Sequence, residues 1–204
     1  MMGSVFTKTY QDFPFNDREI LRYAGCKTPD RGTLALLEEV KETVKNSFSY
    51  KVCFTRLPVR IDGGMVELNG LKLHSNDLAK ALKDSKEVLL FSATVGVEID
   101  RLILKTERIS PLKAVFYQAV GAERIETLCN AFCKDFADEE GVCLTPRFSA
   151  GYGDLPLETQ KLVFALLSPE KHIGLTLSDS LLMSPTKSVT AFVGIGGGRY
   201  ETND

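Results

Sequence analysis

Arg147-Phe-Ser-Ala-Gly-Tyr-Gly-Asp154 is the stretch around which the chain is organised, and Leu155-Pro156 follows it at once. It gathers a fixed cation, a hydroxyl, an aromatic ring and two glycines into one short segment. Glycine lets the backbone turn with positive φ and approach a ligand closely, because no Cβ intervenes. Arginine beside such a turn presents a rigid fork of donors suited to a carboxylate or phosphate. Tyrosine offers a flat face with a polar tip. A connecting loop whose arginine makes a surface ion pair would read the same way, since loops carry both turns and sites.

The flanks place this stretch between regular elements. Upstream, Ser110-Pro111 opens a helical segment whose buried stripe runs through Leu112, Val115, Phe116, Ala119, Ala122, Ile125, Cys129, Phe132 and Phe136. Such a segment spans roughly 40 Å, and Gly121 is a place where it can bend. Cys143 to Phe148 then reads as a strand feeding the loop, and Leu155 to Leu167 as a helix stopped before Pro169. Ile173 to Leu177 and Ser188 to Ile195 read as late strands around the Met183-Ser-Pro185 turn. Gly194-Ile-Gly-Gly-Gly198 lacks the helix N-terminus that a phosphate loop requires, so it reads as a strand end running into a flexible tail, 196–204.

Farther upstream, Asp17 to Ala24 predicts a short helix. Thr28-Pro29 starts a second, with Leu34, Leu37, Val40, Val44 and Phe48 on one face to about Asn46. Tyr50 to Ile61 is rich in β-formers. Met65 to Leu73 is a hairpin, because Asn69-Gly70 suits a type I′ turn. Ser75 or Asn76 caps a short helix to about Lys83. Glu87 to Val95 is a near-continuous apolar run and hence a buried central strand. A helix carrying Val97, Asp100, Arg101 and Leu104 follows Gly96. Residues 1–16 show no clear period and are expected to drape over the fold as a peripheral segment. Helices and strands alternate irregularly, with hairpins, so the fold class is α+β, a mixed or antiparallel central sheet with flanking helices. The 204 residues fit one domain with no linker or repeat.

Composition narrows the function classes. With 44% hydrophobic and 25% charged residues the chain reads as ordinary globular protein. A formal net charge of -2 gives no general footprint for nucleic acid or an anionic membrane. No run approaches the length of a spanning helix, and the N-terminus has no signal-peptide core, so the expectation is cytoplasmic. Cysteines 26, 53, 129, 133 and 143 suit reduced, mostly buried thiols. Cys129 and Cys133 share a helical face, where core packing outweighs metal binding because His74 and His172 lie far away in sequence. No metal site and no acid–base catalytic pair emerges.

Arg147-x-x-x-Gly151-Tyr152 resembles the signature loop of the reactivation (activation) domain of cobalamin-dependent methionine synthase. Downstream, Leu175-Thr-Leu-Ser-Asp-Ser-Leu-Leu-Met-Ser-Pro-Thr-Lys-Ser-Val-Thr-Ala191 is similar to that family's Leu-Thr-Glu-Ser, an apolar pair, Met-x-Pro and Ser-Val-Ser. The two motifs, in order and correctly spaced, cover residues 110–195. The resemblance implies S-adenosylmethionine (AdoMet) as ligand. Arg147 then takes its carboxylate or supports the loop. Backbone groups from Arg147 to Ser149 read the adenine edge, with Ser149 where many relatives carry Ala. Gly151 permits the close turn, and Tyr152 lies where a corrinoid ring meets the ligand.

An acidic partner is also needed for the ammonium or ribose. Glu126 shares its helical face with the small Ala119, Ala122, Cys129 and Cys133, which leaves room for a ligand, and the family pattern places an acid near there. Glu123 shares its face with Val120, Thr127, Asn130 and Lys134, a set expected to be more solvated. Otherwise both glutamates are exposed helix charges. Relatives use a second acid near the N-terminal end, for which Asp17 is a candidate that no motif fixes.

The chain departs from the family where Gly153-Asp154-Leu155-Pro156 replaces Pro-Ala-Cys-Pro and Met183-Ser-Pro185 replaces Met-Trp-Pro. It has no Asp-x-His-x-x-Gly cobalamin motif. The resemblance therefore implies a stand-alone reactivation component of a split methionine synthase, working on cobalamin carried by a corrinoid-binding partner. An electron donor such as flavodoxin or ferredoxin would support the reductive methylation. Positioning, without a nucleophile of its own, is the role implied for the chain. Two alternatives stand beside it: reactivation of a different corrinoid protein, such as a small-substrate methyltransferase, and a binding or regulatory module that has lost AdoMet affinity.

Overall fold

The computed structural model describes residues 4–196; the glycine-rich tail expected over 196–204 lies, beyond Gly196, outside the described residues. The strands are β1 (Phe6–Tyr10), β2 (Tyr50–Asp62), β3 (Met65–Leu68), β4 (Leu71–His74), β5 (Glu87–Thr94), β6 (Thr176–Leu177), β7 (Met183–Ser184) and β8 (Ser188–Ile195). The helices are α1 (Asp17–Tyr23), α2 (Arg31–Val44), α3 (Asn76–Ala81), α4 (Glu98–Thr106), α5 (Pro111–Glu140), α6 (Thr159–Leu167) and α7 (Pro169–Ile173). A six-stranded sheet runs in the order β4-β3-β2-β5-β8, with β1 also on β2. Every pairing is antiparallel, so the α+β reading stands in its antiparallel form.

β5 holds the centre because both its faces are covered. Leu89, Phe91, Ala93 and Val95 point into the core that α5 closes, together with Val52, Ala191 and Val193. Val88 and Leu90 point the other way, into a second core with Leu78 of α3, Val163 of α6 and Ile173 of α7. A strand buried on both faces reads as an unbroken apolar run, which is what the sequence carries. Under α5, the Phe132 ring sits 5.0 Å from Phe91 and 5.1 Å from Phe54. Among the described residues no helix is long and apolar enough to cross a membrane.

Most elements lie where the sequence puts them, and the exceptions have physical causes. The Asn69-Gly70 turn has φ of 51° and 84°, the paired positive values a type I′ turn requires. The segment expected to drape over the fold instead contributes β1, whose Phe6 to Tyr10 pair with Phe54 to Tyr50 of β2. Exposed or only half-buried along its length, it has no fully buried face to impose a clear period. Helix α2 starts at Arg31, two residues past Pro29, because Asp30 accepts the Thr33 amide at 2.7 Å and is the stronger cap.

The 30-residue α5 is one helix through Gly121. There hydrogen is needed for packing, since a Cβ would lie 2.9 Å from the Lys187 side chain. The expected strand 143–148 touches β8 through bridges at Leu144–Ile195 and Phe148–Phe192 alone, because the Thr145 hydroxyl takes the intervening Gly194 amide at 2.8 Å. The helix expected from Leu155 begins at Thr159, after a turn. The strand expected over 173–177 shrinks to Thr176–Leu177, because Pro169 starts the short helix α7.

Candidate functional site

Residues 147 and 148 are consecutive on an extended segment, so their side chains leave it on opposite sides. Arg147 turns toward α5. Its guanidinium donates to Glu126 Oε2 at 2.6 Å and to Asn130 Oδ1 at 2.6 Å, two residues one helical turn apart. The Arg147 side chain is 17% exposed and that of Glu126 42%, so the pair is shielded at the cation and open at the carboxylate. Ala119 and Ala122 stand on the same face of α5, N-terminal to Glu126. Cys133 is buried beside Arg147; burial pushes its thiol pKa up, against the pull of the guanidinium. That thiol is held protonated, which makes it a packing group.

Phe148 turns to the other side, into the core shared with α3 and α6. The Tyr152 ring meets Phe148 edge to face at 6.0 Å, while the residue remains 72% exposed. Tyr152 thus sits on the Phe148 side of the segment, away from the Arg147–Glu126 pair. Between them the chain folds tightly, with the Gly151 amide donating to the Leu155 carbonyl at 2.9 Å and the Leu155 amide to Tyr152 at 3.1 Å. Gly151 has φ of 84° and Gly153 55°, values that favour glycine. Ser149, partly buried, bridges the two halves, its carbonyl accepting the Tyr152 amide at 3.2 Å.

The end of the loop is locked onto α3. Asp154 accepts the Asn76 amide at 2.8 Å, the Asp77 amide at 3.2 Å and the Ser75 hydroxyl, while its own amide donates to Asp77 Oδ2 at 3.1 Å. Ser75 meanwhile caps the helix by accepting from the Leu78 amide at 3.0 Å. The Ser75 hydroxyl, joined by those amides, holds the Asp154 carboxyl below its usual range. Gly153 fits this contact tightly, for a Cβ there would meet Asp77 Oδ2 at 2.2 Å.

Of the sequence-derived candidates, Arg147 and Glu126 come together, Ser149 and Gly151 shape the adjoining turn, and Tyr152 lies on the far side. One reading is reversed. Glu123, expected to be the more solvated glutamate, is 2% exposed and grips the fully buried Arg124 at 2.6 Å through each of its two oxygens. Arg124 in turn donates to the carbonyls of Phe13 at 2.7 Å and Pro14 at 2.8 Å and lies over the Phe15 ring. The N-terminal segment covers that side of α5, which an isolated helical wheel does not include. Asp17, the candidate second acid, binds Lys41 at 2.8 Å between α1 and α2.

Two participants were missed, and a third residue, from the second motif, packs on α5 outside the site. Asn130 lies one turn beyond Glu126 and was legible from that spacing. Asp154 stands next to the motif, but its target, α3, is remote in sequence. Lys187, inside the second motif, lies across Gly121; burial lowers its pKa, and Asp100 opposes this. Among the described residues no group of three or more His, Cys, Asp or Glu comes together to hold a metal ion.

No family model and no curated protein sequence matches the chain. A solved structure does: the MetH (methionine synthase) reactivation domain bound to AdoHcy, with a TM-score of 0.68 at 14% identity, covering 98% of this chain and 81% of that one. Across nearly its whole length, the chain has the fold of the methionine synthase reactivation domain.

Proposed function

We propose that the chain binds AdoMet where the 147–152 loop meets α5, and presents it to the corrinoid of a methionine synthase protein. The observation that carries this reading is the Arg147–Glu126 pair, a cation and a carboxylate 2.6 Å apart where the loop meets α5. An amino-acid end carries both charges, and the pair offers a partner to each. Arg147 takes the carboxylate, Glu126 the ammonium or a ribose hydroxyl, and backbone groups of 147–149 the adenine edge. Gly151, at a φ of 84° and close against Leu157, holds the tight turn that brings these groups together. The fold likeness to a domain solved with AdoHcy supports the choice of ligand.

When bound, AdoMet supplies a methyl group for transfer to cobalt. The residues of this chain hold the donor in line and exclude water, a positioning effect. The corrinoid is carried by a separate methionine synthase protein, an electron donor such as flavodoxin or ferredoxin completes the system, and residues 1–204 act as one domain. Calorimetry with AdoMet tests the site: wild type binds, and Arg147→Ala weakens binding at least about tenfold through loss of a charge-assisted contact. Unchanged affinity in that variant overturns the assignment. No heat at millimolar AdoMet, with and without the corrinoid protein, leaves the regulatory-module reading in its place.

A further inference from the structure

The other side of the same loop, where Tyr152 lies, carries a cleft that the Arg147–Glu126 pair does not reach. It lies between α3 with its following turn and the segment from Thr145 to Gly153, with a volume of about 650 Å³. That falls within the range of about 300–1,000 Å³ usual for small-molecule sites. One wall is aromatic, with Phe148 half-buried beneath and the exposed Tyr152 ring above, set edge to face at 83°. The other wall carries Lys80 and Lys83, placed one turn apart by the Lys83 amide donating to the Lys80 carbonyl at 3.3 Å. Among the described residues neither ammonium joins an ion pair.

The remaining polar groups are mostly engaged. Thr145 Oγ1 accepts the Gly194 amide at 2.8 Å, and Asp77 Oδ2 accepts the Asp154 amide at 3.1 Å. Asp84, at a positive φ of 65°, is the other acid of the lining and tempers the charge. What the cleft offers is therefore a ring face and two long, unpaired cations that can swing onto a charge. Aromatic faces attract rings, and lysine ammonium groups seek anions.

We propose that this cleft is a second binding site, taking a small ligand that joins an aromatic ring to an anionic group. Such a ligand stacks on Tyr152 and Phe148 and sets its anion between Lys80 and Lys83. The sheet and the loop separate this site from the Arg147–Glu126 pair, since Phe148 belongs to the core on the α3 face and Arg147 reaches α5. The inference stands independently of AdoMet binding.

Anilinonaphthalene sulfonate is a suitable probe, and the uncharged phenylnaphthylamine its control. Fluorescence titration of the whole chain should give saturable sulfonate binding, with amide NMR shifts at Lys80, Ala81 and Gly153 and none at Glu126 or Asn130. Charge reversal in Lys80→Glu/Lys83→Glu should weaken the sulfonate about tenfold and leave the uncharged probe unaffected. Both lysines are exposed, so the variant keeps its fold. Absence of saturable binding, equal binding of the two probes, indifference to the charge reversal, or shifts centred on Glu126 would each overturn the proposal. None of these readouts involves AdoMet, so failure here and failure of the AdoMet site are told apart.

Discussion

Arg124, fully buried, and Lys187, half-buried, are held in opposite ways. Arg124 is fully buried with every direction of its fork answered by Glu123 and two main-chain carbonyls. Removing one partner of such a pair leaves an uncompensated charge in the interior. Arg124→Met should therefore cost about 3–5 kcal/mol, measured by denaturant unfolding, and release the 13–16 segment to proteolysis. Lys187 is the contrary case, its methylene stem lying across Gly121 and its half-buried amine drawing support from Asp100. Its folded pKa lies below the ordinary 10.5, so the unfolded chain holds the proton more strongly. Stability accordingly rises as pH climbs through the interval between the two values. Lys187→Met should raise stability at pH 7 by up to about 1 kcal/mol, allowing for partial exposure, and flatten that alkaline rise in a series of thermal melts. A variant that is less stable at neutral pH would show that the amine has a partner worth more than its desolvation.

At the scale of elements, the loop depends on glycine where it meets α3. A methyl at Gly153 would meet Asp77 Oδ2 at 2.2 Å and sit on a backbone with φ of 55°. Gly153→Ala should destabilise by about 1–3 kcal/mol and displace Asp77 from the Asp154 amide, seen as a shift of that amide in NMR spectra. Elements with a strong local signal were legible in the sequence. The β5 run, the Asn69-Gly70 turn, the Ser75 cap and the Pro111 start of α5 each carry their own physical cause within a few residues. What was not legible depends on partners distant in the chain. β1 forms because β2 has an edge to offer, and Glu123 is buried because Phe13 to Phe15 lie over it. The 143–148 strand fails because Thr145 captures an amide that a regular ladder would use. The candidate site divides in the same way: motif and helical face singled out Arg147 and Glu126, whereas their direct pairing and the side on which Tyr152 lies depend on partners distant in the chain.

Over the whole molecule, one sheet separates two cores, and the signature loop is the place where both faces are reached at once. Arg147 addresses α5, while Phe148, Tyr152 and Asp154 address α3. The two sides should respond separately. Asp154→Ala should speed amide exchange at Asn76, Asp77 and Leu78 and leave α5 at wild-type protection. In the wild type the same contacts should weaken in acid: the Asp154 carboxyl is depressed in the fold, so its contribution is present above the ordinary Asp value of 3.8 and fades as pH falls through the lower folded one. Matching exchange rates on α5 and α3 in the variant would mean that the faces are not independent. The lock between Asp154 and α3 also means that residues 149–154 cannot rearrange without stripping a helix start up to 78 positions earlier of its donors' acceptors. Whatever settles at the loop is thereby announced on a distant turn of backbone, and α3 becomes a built-in gauge whose fraying can be read without labelling the loop itself.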